Sequence, residues 1–328
     1  MKKNILLVIA SITVTLFVFE TIFRIISDNQ EWWIENRASD PYVYPINKYS
    51  FRDFDYEQEK SPGTVRIACI GDSFTWGAGV KFDDSFPKRL ERTMNVLLRP
   101  DTGKKYEVMN FSWFGSSTFQ QVNRLESIKE FQPDMIVLGY CLNDAEDWTD
   151  KKGVYALRKK FIPPKIPGKT VQLLCRHSAL ISFISKRILN SLITNGTTRY
   201  YQYTYEDSYS GWQRTSEAFK ILSEQEVPVI VLIFPLLSYE FNKYPFLNVH
   251  EKIRAELEKH HLPYIDYYHF FRQENYLRLQ AIPFINAHPS EIACRIIEEK
   301  LYQKLKKEYK TLICAKITAE DTELTEEK

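Results

Sequence analysis

Residues Val65-Arg-Ile-Ala-Cys-Ile-Gly71-Asp72-Ser73-Phe-Thr-Trp-Gly77 decide how the chain is read. The apolar run from Val65 to Ile70 ends at Gly71, as a short buried strand does. Asp72 and Ser73 then fall where the strand must turn, ahead of a segment with helical spacing. Asp and Ser side chains accept hydrogen bonds from the free N–H groups of a first helical turn, so a simple cap is one reading. Strand, glycine, serine and helix start also form a turn that exposes a nucleophilic hydroxyl beside backbone donors. The remainder of the chain favours the second reading.

Beyond this turn, residues 85–98 carry Phe86, Leu90, Met94 and Leu97 at a helical period. Residues 106–111 read as a second strand, and 119–131 as a second helix with Val122, Leu125 and Ile128 on its apolar face. Residues 135–142 form a third strand, apolar almost throughout, as in a parallel sheet covered on both faces. Residues 145–210 break the rhythm with Pro163-Pro, Pro167-Gly and a helical piece over 179–193. They read as an insertion over the sheet's edge, with a lid as one role. The alternation resumes with a helix over 212–223, a strand over 227–234, a helix over 249–259 and a short strand over 264–266. A last helix follows Pro289, a favoured first-turn residue. The expectation is an α/β protein with one doubly wound, mostly parallel sheet, its ligands at the carboxyl ends of the strands.

The 328 residues suit one large α/β domain or two small ones, and 44% apolar with 26% charged residues suits a globular core. A net charge of +2, with lysine and arginine read as spread along the chain, gives no reason to expect nucleic acid. Five cysteines (Cys69, Cys141, Cys175, Cys294 and Cys314) lack the spacing of a metal site, and neither metal nor cofactor is expected. Cys69 and Cys141 lie in strand-like runs and read as inert core thiols. The cluster Tyr200-Tyr-Gln-Tyr-Thr-Tyr205 either packs on its own aromatics or stacks on a sugar.

Residues 1–26 open with Lys2 and Lys3, then run uncharged from Ile5 to Phe19 before Glu20 and Arg24. As a helix rising about 1.5 Å per residue the segment could span about 30 Å of hydrocarbon. No small-x-small cleavage site follows the apolar run. An uncleaved anchor is expected, with a cleaved signal or a buried helix as alternatives. Lysines ahead of the span favour a cytoplasmic N-terminus and an extracytoplasmic domain. The expected plan is an anchor over 1–26, an irregular lead-in over 27–64, a domain over 65–312 and an acidic, disordered tail over 313–328.

Three further residues each follow a strand's carboxyl end or precede the last helix. Gly115 lies in Asn110-Phe-Ser-Trp-Phe-Gly115, Asn143 in Gly139-Tyr-Cys-Leu-Asn143-Asp144, and His288 in Asn286-Ala-His288-Pro289. Acyl transfer by a serine needs a base for the hydroxyl proton and donors for the oxyanion. A glycine lets a backbone N–H approach a ligand, and an Asn amide is a second donor. A histidine at a helix start has its pKa biased downward and stays neutral. Each residue alone could equally make a turn or cap a helix.

Together, Gly71-Asp72-Ser73, Gly115, Asn143-Asp144 and His288-Pro289 resemble the four motif blocks of the SGNH (GDSL-type) hydrolase family, over about residues 65–308. The resemblance implies a flavodoxin-like three-layer αβα sandwich and carboxylic ester chemistry, esterase or deacetylase. It implies Ser73 as nucleophile and His288 as its base, with an oxyanion hole from the Ser73 and Gly115 N–H groups and the Asn143 side chain. The lead-in Ser50-Phe-Arg-Asp53 and the N-terminal segment resemble membrane-attached bacterial members, several of which act on acylated sugars or polysaccharide. An O-acyltransferase with the same acyl-enzyme, or a tethered carbohydrate-binding protein, is the alternative. The family usually places an Asp two or three residues before the histidine, and here those positions hold Asn286 and Ile285. Asn286 is expected to orient His288 without a negative charge, and Asp266 is the other candidate.

Overall fold

The apolar runs pair as one parallel sheet. In this computed structural model β1 (Thr64–Gly71), β2 (Lys105–Ser112), β3 (Met135–Cys141), β4 (Val229–Phe234) and β5 (Tyr264–Asp266) lie in the order β2-β1-β3-β4-β5. Every neighbouring pair is parallel. All residues of β1, β3 and β4 are buried. Strands covered on both faces cannot alternate apolar with polar, which is why they stand out as continuous runs. The structure describes residues 8, 10–22, 24–25, 46–163, 169–283 and 286–315.

The helices are α1 (Ser73–Trp76), α2 (Phe86–Leu97), α3 (Thr118–Val122), α4 (Leu125–Lys129), α5 (Lys151–Phe161), α6 (Lys169–His177), α7 (Ala179–Thr204), α8 (Ser210–Ser223), α9 (Leu247–Lys259) and α10 (Glu291–Glu308), besides several single turns. Right-handed crossovers place α2 on one face of the sheet and α3, α8 and α9 on the other. The contacts agree: α8 packs on α3 and α9, and α10 returns to pack on α2. The strand order is that of flavodoxin-like doubly wound sheets, whose ligand crevice opens where the winding reverses beside β1. Ser73 stands at that point. Two compact units emerge, Met1–Pro41 with Lys152–Tyr200, and Tyr42–Lys151 with Tyr201–Lys328, the second holding the sheet.

Several local expectations are corrected. The helix over 119–131 is two short helices, broken at Arg124, whose φ of −105° and ψ of 3° leave the helical region. Its guanidinium lies 3.7 Å from the centre of the Trp113 ring, a cation–π contact. The helical piece over 179–193 continues to Thr204, into the tyrosine cluster. Tyr205 is buried there, its hydroxyl 2.6 Å from that of Tyr140 and donating to the Leu142 carbonyl, so this tyrosine serves packing. Pro289 does not open the last helix. It ends β7 (Asn286–Pro289), which pairs antiparallel with β6 (Gln280–Ile282), and Ser290 caps α10 instead.

The lead-in is organised where it is described. Arg52 and Asp53 are each 1% exposed. Arg52 donates to the carbonyls of Trp76, Gly77 and Val80, stitching down the loop that leaves α1. Asp53 accepts from the Asn110 N–H at 2.7 Å and from Lys88 at 2.9 Å, tying β2 to α2. A buried carboxylate is tolerated only when its oxygens are so engaged. Burial also raises the pKa of Cys69 and Cys141 above the ordinary thiol value, which keeps them protonated and unreactive.

In the other unit, residues 10–22 are helical, and Glu20 pairs with Arg24 at 2.9 Å. Among the described residues no helix is long and apolar enough to cross a membrane. The expected anchor also includes residues 1–7, 9, 23 and 26, which lie outside the described residues. So do residues 27–45 of the lead-in and residues 316–328 of the tail.

Candidate active site

The site begins with the way β1 stops. Gly71 pairs with Gly139 on β3, and a side chain at either would sit about 2 Å from the Thr75 hydroxyl. The two glycines therefore let α1 seat against the sheet immediately after the strand. Asp72 caps α1, its Oδ1 accepting from the Phe74 N–H at 2.9 Å. Ser73 becomes the first helical residue, at the carboxyl end of β1. The cap reading of Asp72 holds, and Ser73 sits between the strand end and the helix.

His288 reaches the serine from β7. Its Nε2 is 2.9 Å from Ser73 Oγ, across 215 residues of chain. Its Nδ1 lies 2.5 Å from Asn286 Oδ1, which also accepts from the His288 backbone N–H at 3.2 Å. An amide oxygen only accepts, so the ring proton sits on Nδ1 and the Nε2 lone pair faces the Ser73 hydroxyl. That is the tautomer a general base requires. His288 lies in a hairpin two residues before the cap of α10. Its pKa is lowered from the ordinary histidine value, as expected, but the cause is burial and not a helix start.

Asn143 follows β3 in a turn of 3-10 helix, Leu142–Ala145. Its Nδ2 donates to Asp72 Oδ2 at 2.9 Å, and the same oxygen is 3.3 Å from Ser73 Oγ. Asp72 thus locks the amide beside the serine with one of its two N–H bonds and leaves the geometry of the second defined. Burial raises the pKa of Asp72, and the donors from Asn143, Phe74 and Ser73 act against that rise. Asp144 is buried nearby, with its pKa raised well above the usual carboxyl value by burial and by Asp72.

Gly115 occupies a turn with φ of +72°, a backbone region that glycine adopts without penalty. Ser116 N–H donates to the Trp113 carbonyl across this turn, and Trp113 N–H donates to the Gly71 carbonyl at 3.0 Å. The loop is thereby tied to the end of β1. Phe114, 64% exposed, places its ring 5.6 Å from His288 and 6.0 Å from Trp76. This aromatic pair beside the serine was missed in the sequence, where each ring looks like one of many.

Asp266 is engaged elsewhere. It accepts from Arg254 at 2.6 Å, lies 3.0 Å from His250 Nδ1, and accepts from the Tyr268 N–H. Ile285, the other position before the histidine, lies outside the described residues. Ser73, His288, Asn286, Asn143 and Asp72 are brought together, and among the described residues no carboxylate is the hydrogen-bond partner of the imidazole Nδ1. The missed signals were Asp72, read only as a cap, and the buried Arg52-Asp53 pair behind the turn. Among the described residues no group of three or more His, Cys, Asp or Glu is arranged to hold a metal ion.

A neutral orienter predicts a specific response. In Asn286→Asp the new anion accepts the same Nδ1–H and favours the imidazolium. Because one full charge now faces the cation formed as serine loses its proton, kcat should rise roughly tenfold or more. The sign for pH is fixed: the reaction needs neutral imidazole, so raising the histidine pKa moves the rise of kcat/KM to higher pH. The wild type should hold its activity further into acid than an ordinary histidine allows. Steady-state rates from acid to neutral pH check both points, and an unchanged rate in a folded Asn286→Asp protein would contradict the orienting role.

A nucleophile-base-donor cluster at the switch point of a doubly wound sheet defines a class, the serine ester hydrolases built on such sheets. The family model for the GDSL-like lipase/acylhydrolases matches residues 69–296, and the chain belongs to that family. It is therefore a serine hydrolase acting on ester bonds. Similar solved structures include the lipase/acylhydrolase of Enterococcus faecalis, at 15% identity over 74% of this chain and 96% of the other, with a TM-score of 0.44. Another is an acetyl xylan esterase variant from Geobacillus stearothermophilus, at 12% identity over 77% and 96%, with a TM-score of 0.46. A G-D-S-L family member from Veillonella parvula is 14% identical over 73% and 97%, with a TM-score of 0.42. No curated protein matches the chain.

Proposed function

We propose that the protein deacylates an acylated carbohydrate through an acyl-enzyme on Ser73. His288 Nε2 takes the Ser73 proton as Oγ attacks the ester carbonyl. The backbone N–H groups of Ser73 and Gly115 and the second N–H of the Asn143 amide receive the oxyanion. The imidazolium returns its proton to the departing alcohol, and water, deprotonated by the same imidazole, releases the acid. The observation that carries this reading is the 2.9 Å approach of His288 Nε2, in the accepting tautomer, to Ser73 Oγ. The exposed Phe114 beside it offers an apolar ring face of the kind that sugars stack on.

A fluorophosphonate probe tests the nucleophile. Wild-type protein should label and Ser73→Ala should not; labelling that persists in the variant, or folded wild type that stays unlabelled, would refute the assignment. Product analysis with a sugar acceptor present separates hydrolysis from acyl transfer, because only transfer yields a newly acylated sugar.

The second part of the proposal is location. Residues 1–26 anchor the chain in a membrane with the hydrolase unit outside the cytoplasm. The uncharged run from Ile5 to Phe19 supports it, as does the exposure of Ile12, Val14, Leu16 and Phe17 on the described helix. Carbonate washing should leave the protein in the membrane fraction with its N-terminus uncleaved. Release into the supernatant would count against the anchor.

A further inference from the structure

Contrary to the expectation of an even spread, the basic residues concentrate in one stretch free of acidic ones. Residues 151–200 contain eleven lysines and arginines and no aspartate or glutamate, which leaves all 42 acidic side chains to the rest of the chain. Lys159 and Lys160 are exposed at the end of α5, and Arg187 is exposed on α7. The same stretch exposes large aliphatic side chains. Ile184, Ile188 and Leu192 on α7 are each about half exposed, and their spacing of four puts them on one stripe beside Phe183 and Arg187. Leu173 and Leu174 on α6 are exposed as well.

The start of α7 is fixed to the N-terminal helix. Glu20 accepts from the Ala179 and Leu180 N–H groups at 2.8 and 3.0 Å and from the Ser178 hydroxyl at 2.8 Å. Arg24 donates to the His177 carbonyl. The stripe on α7 thus begins beside a helix whose own apolar side chains, Leu16 and Phe17 among them, are exposed. Aliphatic side chains flanked by cations, on a helix too polar to cross a bilayer, are the pattern of a segment lying in the headgroup region of an anionic membrane. A second copy of the chain fits poorly, since pairing two such segments would bring two stretches rich in lysine and arginine and free of acidic residues together. We propose that the 151–200 insertion docks on an anionic lipid surface through the Ile184–Ile188–Leu192 stripe, with its lysines and arginines on the headgroups.

The docking stands on these residues and does not require residues 1–26 to span. The test uses the full chain with Cys175 and Cys314, the two cysteines that are not buried, changed to serine. An environment-sensitive fluorophore is placed at Ile188→Cys or, separately, at Leu16→Cys. With vesicles containing phosphatidylglycerol, the probe at 188 should shift to the blue and be quenched by acyl-chain nitroxide lipids. With phosphatidylcholine alone at high salt, it should not. Combining Lys159→Glu, Lys160→Glu and Arg187→Glu should lower the docked fraction, each residue contributing roughly fivefold. A probe at 188 that stays in water on anionic vesicles, or shifts without vesicles as protein concentration rises, overturns the proposal. The probe at 16 reports the anchor independently, so either can fail alone.

Discussion

Ser73→Ala is expected to remove hydrolysis of a short-chain aryl ester by about five to six orders of magnitude while the fold persists. The hydroxyl is the only part of the side chain that the change deletes. Helix α1 keeps its cap, because Asp72 accepts from the Phe74 N–H, a backbone donor that the change leaves in place. Ser73 is 6% exposed, and its Oγ is engaged by His288 at 2.9 Å and Asp72 at 3.3 Å, so the lost contacts belong to the site. His288→Ala should cost a similar factor, and the double variant little more, since nucleophile and base act as one unit. Rates of the three variants, with circular dichroism to confirm folding, check this. Additive losses would show that the two residues do not share a step, and turnover near wild type in Ser73→Ala would place the nucleophile elsewhere.

For Asn143→Ala the expected loss is about 10²- to 10³-fold in kcat with KM little changed, the size typical of one oxyanion donor. The amide sits where one N–H is held by Asp72, so its orientation is set before substrate arrives. Preorganisation is what makes such a donor effective, since no dipole has to turn as charge develops. Asp72→Asn supplies a second reading of the same geometry. An Asn still caps α1, but a neutral oxygen holds the Asn143 amide less firmly than a carboxylate. Its kcat should fall by roughly tenfold, with the loss again in kcat. A change confined to KM in Asn143→Ala would make the residue a substrate contact and remove it from the oxyanion hole.

The lowered pKa of His288 also bears on stability. The folded chain binds that proton less readily than the unfolded chain does, so the contribution of this group falls as pH drops below the ordinary histidine value. The site is therefore suited to neutral pH, where the imidazole is uncharged and its burial costs no desolvation of a charge.

What the sequence determined by itself was the set of elements whose burial repeats locally. β1, β3 and β4 announced themselves because strands covered on both faces must be apolar at every position. The Gly71-Asp72-Ser73 turn was legible because a strand end, a glycine and a cap residue are all local signals. Their alternation with helices was enough for a doubly wound sheet, and the order of motif blocks for the family. What only the tertiary structure decided were the pairings between distant residues and the places where one contact overrides local preference. Asn286 rather than Asp266 holds His288, because Asp266 is taken by His250 and Arg254 from α9, a competition that no local pattern encodes. The helix over 119–131 breaks at Arg124, which lies over a tryptophan eleven residues earlier. Arg52 and Asp53, in a stretch that looks irregular, are buried because the Ser73 turn and β2 expose carbonyls and an N–H that need partners. Local sequence sets which face of an element is apolar, but which polar group finds which partner depends on the whole chain being in place, because a buried donor or acceptor is stable only when the fold supplies its counterpart.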